Sequence, residues 1–108
     1  MPTFMTSFVY ESESWRKLAK HPEDRSVPIK ALLDKLGGRL IGLYYMAGDY
    51  DGFVIYEAPD AKAAATLAIV AGMAGHIRGV KTSQLFTVGE TMEFLGQAGT
   101  IAFPTPKG

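Results

Sequence analysis

Two pairs of residues carry most of the chemistry this chain offers. His76 and Arg78 stand two apart in the stretch GHIRG, directly after an alanine-rich segment. A proton-exchanging imidazole beside a guanidinium able to grip a carboxylate through two parallel bonds suits an acidic ligand. Positions two apart in a strand share a face, so the spacing predicts that both side chains point one way and Ile77 the other. The plainer reading of the same residues is a solvated corner between a helix and a strand. Tyr50 and Asp51 form the second pair, inside GDYDG at 48–52. Read sharply, they are the rim of a site in which Tyr50 donates to a ligand and Asp51 acts as a base. Read simply, GDYDG is the reversal of a hairpin, because Gly and Asp accept positive φ or bond back to their own backbone. Trp15 and Tyr45, together with Tyr44, Tyr56 and the five methionines, either line a cavity for a flat organic ligand or fill a core.

Composition narrows the field. The chain has 108 residues, one domain's worth, and its 47% apolar and 20% charged content is that of a folding sequence rather than a disordered one. Eleven basic residues balance eleven acidic ones, so the basic footprint of a nucleic-acid binder is missing and no nucleic-acid partner is expected. The absence of cysteine removes disulfides, thiolate metal sites and a cysteine nucleophile. Two histidines far apart in sequence, with no ligand-type spacing, give no reason to expect a metal site. No Gly-x-Gly-x-x-Gly, phosphate loop or nucleophile elbow is present, so no cofactor is expected either. The longest low-polarity stretch, Ala63 to Gly75, is shorter than the roughly 20 residues of a membrane helix, and no signal peptide is recognisable; a cytoplasmic location and no membrane partner are the expectation.

The elements that must position these residues follow from pattern. Thr3–Tyr10 reads as a strand rich in aromatic and small hydroxyl residues. Glu11–Lys20 is helical, with Trp15, Leu18 and Ala19 on one face, and Pro22 interrupts it. A helix resumes within Asp24–Leu36 and stops at Gly37 and Gly38. Leu40–Met46 and Phe53–Tyr56 are strands joined by the GDYDG turn, and their apolar residues fall on both faces. Asp60 is the predicted cap of an Ala61–Met73 helix. Ile77–Phe86 is the fourth strand, with a bulge or bend at Gly79. Thr91–Gln97 is a short helix, and the final residues form an extended tail. The order β, α, β, β, α, β predicts an α+β, ferredoxin-like fold: a four-stranded antiparallel sheet with its crossovers on one face. Apolar residues on the second face require a cover, and a second copy of the chain is the expected partner.

KLGGRL at 35–40, GDYDGFVIYEAPDAKAAA at 48–65 and AGMAGHIRG at 71–79 together resemble the GYD-domain proteins, a family of small bacterial and archaeal chains. The resemblance covers about residues 3–88, within a single domain spanning 1–108 whose remainder is the short helix and tail. It implies the ferredoxin-like fold of the dimeric α+β barrels, in which two sheets meet face to face, and a homodimer or higher oligomer. It carries no settled activity. Two function classes are therefore open: a non-catalytic module for binding a small hydrophobic or acidic molecule or for assembly, and a cofactor-independent oxygenase or isomerase acting on a small aromatic or hydrophobic compound. The candidate ligand-facing residues are His76, Arg78, Tyr45, Tyr50, Asp51 and Trp15.

Overall fold

The computed structural model describes residues 1–107. Its elements run β1 (Thr3–Tyr10), α1 (Ser12–Lys20), α2 (Ser26–Lys35), β2 (Arg39–Tyr45), β3 (Gly52–Glu57), α3 (Ala61–Met73), β4 (Ile77–Leu85) and α4 (Val88–Ala98). The four strands form one sheet in the order β2-β3-β1-β4, with every neighbouring pair antiparallel. This is the ferredoxin-like arrangement that the element order predicts.

One face of the sheet carries the core. Phe4 of β1 and Val54 and Tyr56 of β3 pack against Leu33 of α2 and Ala64 and Leu67 of α3. Leu33 and Tyr56 have no exposed surface at all. The buried Thr6 hydroxyl bonds both the Tyr56 hydroxyl and the Thr82 hydroxyl, each at 2.9 Å, which ties β3, β1 and β4 together through side chains. A bulge at Ile41 lets Leu40 pair with Tyr56 and Gly42 with Ile55, and both Leu40 and Leu43 then reach the core.

Helix ends follow their local chemistry. Gly37 takes φ +77° after α2, and the Gly38 and Gly37 amides donate to the Leu33 and Asp34 carbonyls, a glycine stop that satisfies the last turn. The Asp60 carboxylate accepts from the Ala63 amide as predicted. α4 starts at Val88 rather than Thr91, because Thr87 and Glu90 close a reciprocal capping box three residues earlier.

The opposite face is open. Met5 and Val9 of β1, Phe53 and Ile55 of β3 and Leu85 of β4 are only partly covered, and Tyr44, stacked on Phe53 at 5.4 Å, is 55% exposed. Among the described residues no helix is long and apolar enough to cross a membrane.

Candidate functional site

α2 and α3 both rest on the sheet but scarcely touch one another. Ala71 in the last turn of α3 and Ala74 just past its end bring only methyl groups to this gap. A cavity of about 290 Å³ results. Its walls are apolar, with Phe8 from β1, Ile29 and Leu32 from α2 and Val70 and Ala71 from α3. Three residues bring polar atoms to it: Tyr10 at the end of β1, Arg25 just before α2, and His76 at the corner leading into β4.

Tyr10 connects this cavity to an aromatic cluster. Its hydroxyl bonds the Tyr45 hydroxyl at 3.0 Å, and its ring lies 4.9 Å from Phe8 and 5.2 Å, edge-on, from Trp15. Burial, reinforced by the Tyr45 hydroxyl, pushes the Tyr10 phenol well above its ordinary value, while nearby Arg25 pulls it the other way. Tyr10 is therefore a neutral hydrogen-bonding group near neutrality. Burial also raises the Tyr56 phenol, against opposing hydrogen bonds from Thr6 and Thr82. A phenol raised in the folded state contributes stability below the ordinary value of 10.0, and that contribution is lost as pH climbs toward the folded value. Stability is thus expected to fall above about pH 10, by up to about 1.4 kcal/mol per pH unit for each phenol. Urea melts at a series of alkaline pH values measure this, and Tyr10→Phe should remove one phenol's share of the slope. An unchanged slope in that variant would assign the titration elsewhere.

Five of the six predicted site residues fall into three places, and Asp51 lies at the end of the β1–β3 ladder. Trp15 and Tyr45 meet, with ring centroids 6.0 Å apart, beside Tyr10. His76 reaches the cavity, and its carbonyl accepts from the Glu11 amide at 2.9 Å and the Ser14 hydroxyl at 2.8 Å, which anchors the start of α1 to this corner. Arg78 and Tyr50 lie elsewhere, in a shallow groove with Val9 and Gly79.

The expectation that His76 and Arg78 share a side is corrected by a bulge. Val9 pairs with Gly79 and Tyr10 with Ile77, so Arg78 is an extra residue with no partner on β1. Two residues opposite one break the alternation on which the expectation rested. Ile77, predicted to point away, joins His76 at the cavity.

GDYDG does join β2 to β3, yet its glycines serve a different purpose from the predicted one. Neither Gly48 nor Gly52 takes positive φ. Gly52 is buried, and a Cβ there would stand 2.6 Å from both the Phe8 ring and the Tyr44 carbonyl oxygen, so the position admits no side chain without a shift. The Asp51 carboxylate accepts from the Tyr10 amide at 2.8 Å, and the Asp51 amide donates to the Phe8 carbonyl at 2.9 Å. Asp51 thereby extends the β1–β3 ladder past its last backbone pair and holds Tyr10 in place. Sequence reasoning missed Tyr10, Arg25 and the α2 wall. Phe8 and Tyr10 were legible as strand residues on one face, but only packing shows that a gap lies above them. Among the described residues no group of three or more His, Asp or Glu side chains is placed to hold a metal ion.

The fold and cavity define a small ferredoxin-like α+β protein with an apolar chamber under its helices. More particularly, the chain belongs to the GYD-domain family, whose GYD domain matches residues 4–95. Among solved structures, MtbAldR superposes with a TM-score of 0.60 at 15% identity, over 80% of this chain and 53% of that one, so the chain spans about half its length. An uncharacterized NIPSNAP-like domain protein from Burkholderia xenovorans is also similar, at TM-score 0.45 and 14% identity over 97% of this chain and 90% of that one. Protein Atu4242 from Agrobacterium tumefaciens gives 0.46 and 10% over 82% and 94%. No curated protein matches the sequence.

Proposed function

We propose that this protein is a non-catalytic, homodimeric binding module for a small apolar molecule bearing an acidic group. The observation that carries the reading is the cavity between α2, α3 and β1, apolar on its walls and furnished with Arg25, Tyr10 and His76. At about 290 Å³ it sits at the small end of ligand pockets, roughly 300–1,000 Å³, which suits a single ring or a short chain. Arg25 presents a guanidinium whose present partner, Glu23 at 2.9 Å, forms a partly exposed ion pair that contributes little and is readily exchanged for a ligand carboxylate. The neutral Tyr10 phenol supplies a second donor.

Binding outranks catalysis because an oxygenase or isomerase without cofactor needs a proton acceptor inside the apolar chamber. Tyr10 is held in its protonated form, and His76 is largely exposed at the edge. The homodimer is supported by the open sheet face, where Met5, Phe53, Ile55 and Tyr44 present apolar surface without a cover.

Small aromatic and short-chain acids screened by thermal shift test the reading. A true ligand held at 100 times its dissociation constant adds about 2.7 kcal/mol of stability. Ala71→Phe, which fills the cavity from α3, is expected to abolish that shift without lowering the stability of the free protein. Arg25→Ala should weaken acids while leaving their uncharged amides unaffected. An acid that stabilises wild type and both variants alike would place the site outside this cavity.

A further inference from the structure

Among the described residues α4 is a well-formed helix that no other helix or strand covers. Its start is closed by the Thr87–Glu90 capping box, yet none of its residues is buried. Val88, Met92 and Leu95, spaced four and three apart, form one apolar stripe and are 78%, 65% and 65% exposed. Glu90, Glu93 and Gln97 fall on the opposite side, so covering the stripe desolvates no charge. Phe94 alone finds a neighbour, packing edge-on against Phe86 at 4.8 Å. The chain's radius of gyration is 17.5 Å and its longest dimension 57 Å, against about 13 Å expected of a compact domain of this length, which is the signature of a projecting arm.

We infer that α4 is an exchange arm that docks on a second copy of this chain, against the β2 edge of the partner's sheet. This rests on the dimer reading above. The two edges of the sheet are β2 and β4, and α4 leaves β4 after only Phe86 and Thr87. When two open faces stack about a two-fold axis running along the strands, the β4 edge of one protomer lies beside the β2 edge of its partner. The arm then arrives where Tyr44 and Ile41 stand 55% and 52% exposed. The areas agree with a stable contact. A side chain of this size presents on the order of 200 Å² when free, so the exposed parts of Val88, Met92 and Leu95, with Ile101 and Phe103 just beyond the helix, come to roughly 700 Å², close to the share of about 800 Å² that each partner contributes to a standard interface. The exchange also covers the apolar stripe and the sheet edge together, two surfaces that one chain leaves bare.

The chain has no cysteine, so single introduced thiols report contacts cleanly. Leu95→Cys protein mixed with tagged Tyr44→Cys protein and oxidised is expected to give a covalent heterodimer, with little product from either variant alone. A Leu95→Cys homodimer would overturn the inference, because it sets arm beside arm and requires the other two-fold axis. Sedimentation of a Met92→Glu, Leu95→Glu double variant is expected to show self-association weakened at least about tenfold. If that variant associates like wild type while Ile55→Asp is monomeric, the arm inference fails and the sheet-to-sheet dimer stands. If wild type is itself a monomer at micromolar concentration, both fall.

Discussion

Val54→Asp is expected to unfold the protein, whereas Ile55→Asp, one residue further along the same strand, leaves the protomer folded and abolishes self-association. Val54 is 4% exposed and belongs to the cluster beneath α2 and α3. A carboxylate there would replace a packed apolar side chain with an unpaired charge, a change that costs about 4 kcal/mol or more of a total that for such domains is about 5–15 kcal/mol. Ile55 points to the open face, between Phe53 and Glu57 along the strand and opposite Met5 of β1. In the isolated protomer its carboxylate replacement is hydrated and stability changes by about 1 kcal/mol or less. In the dimer it would sit between two facing sheets. Circular dichroism melts paired with sedimentation velocity separate the effects. A folded Ile55→Asp variant that still dimerises would remove the open face from the interface, and a well-folded Val54→Asp variant would contradict the placement of the core.

Gly52→Ala is expected to destabilise the protein by about 3 kcal/mol, above the usual cost of one extra methyl because one of its contacts is backbone. The new Cβ would lie 2.6 Å from the Phe8 ring and 2.6 Å from the Tyr44 carbonyl. The ring can turn, but the carbonyl belongs to the β2–β3 pair, where Tyr45 is registered against Gly52, and cannot retreat without opening the end of that ladder. A fall in Tm of about 10–20 °C is the expected reading. Because Phe8 also walls the cavity, ligand binding should weaken in this variant as well. Gly48→Ala is the control, since a Cβ there meets nothing within 4 Å. Equal stability for the two variants would show that the close approach at Gly52 is not what the glycine is for.

Both effects trace to a division visible throughout the molecule. Element identity is written locally: the β-branched and aromatic run of β1, the Asp60 cap of α3 and the Gly37–Gly38 stop of α2 each act through neighbours a few residues away, and each was legible in the sequence. The capping box at Thr87 and Glu90 was equally local and shows that α4 could have been placed three residues earlier from the Thr-x-x-Glu spacing alone. The ferredoxin-like order followed, because few topologies join elements in that succession with short connections. The apolar residues on both faces of β2 and β3 likewise announced a face in need of a cover.

What the sequence by itself determined, then, is the set of elements, their order in the sheet and the existence of a second apolar face. The tertiary structure alone decided where the chemistry gathers. A bulge of one residue at Arg78 sends it away from His76 and brings Ile77 to the cavity; the glycine at 79 marked the neighbourhood of the bulge in the sequence, but not which strand position goes unpaired. Asp51 read either as part of a hairpin reversal or as a rim base, and its ladder-extending bond was not legible because its partner, the Tyr10 amide, lies 41 positions away. Tyr10 and Arg25 became site residues only when α2 and α3 were set down on β1 with small side chains between them. Secondary structure responds to the nearest neighbours in sequence, whereas a cavity is the space that distant elements fail to fill, and its lining is fixed by their packing.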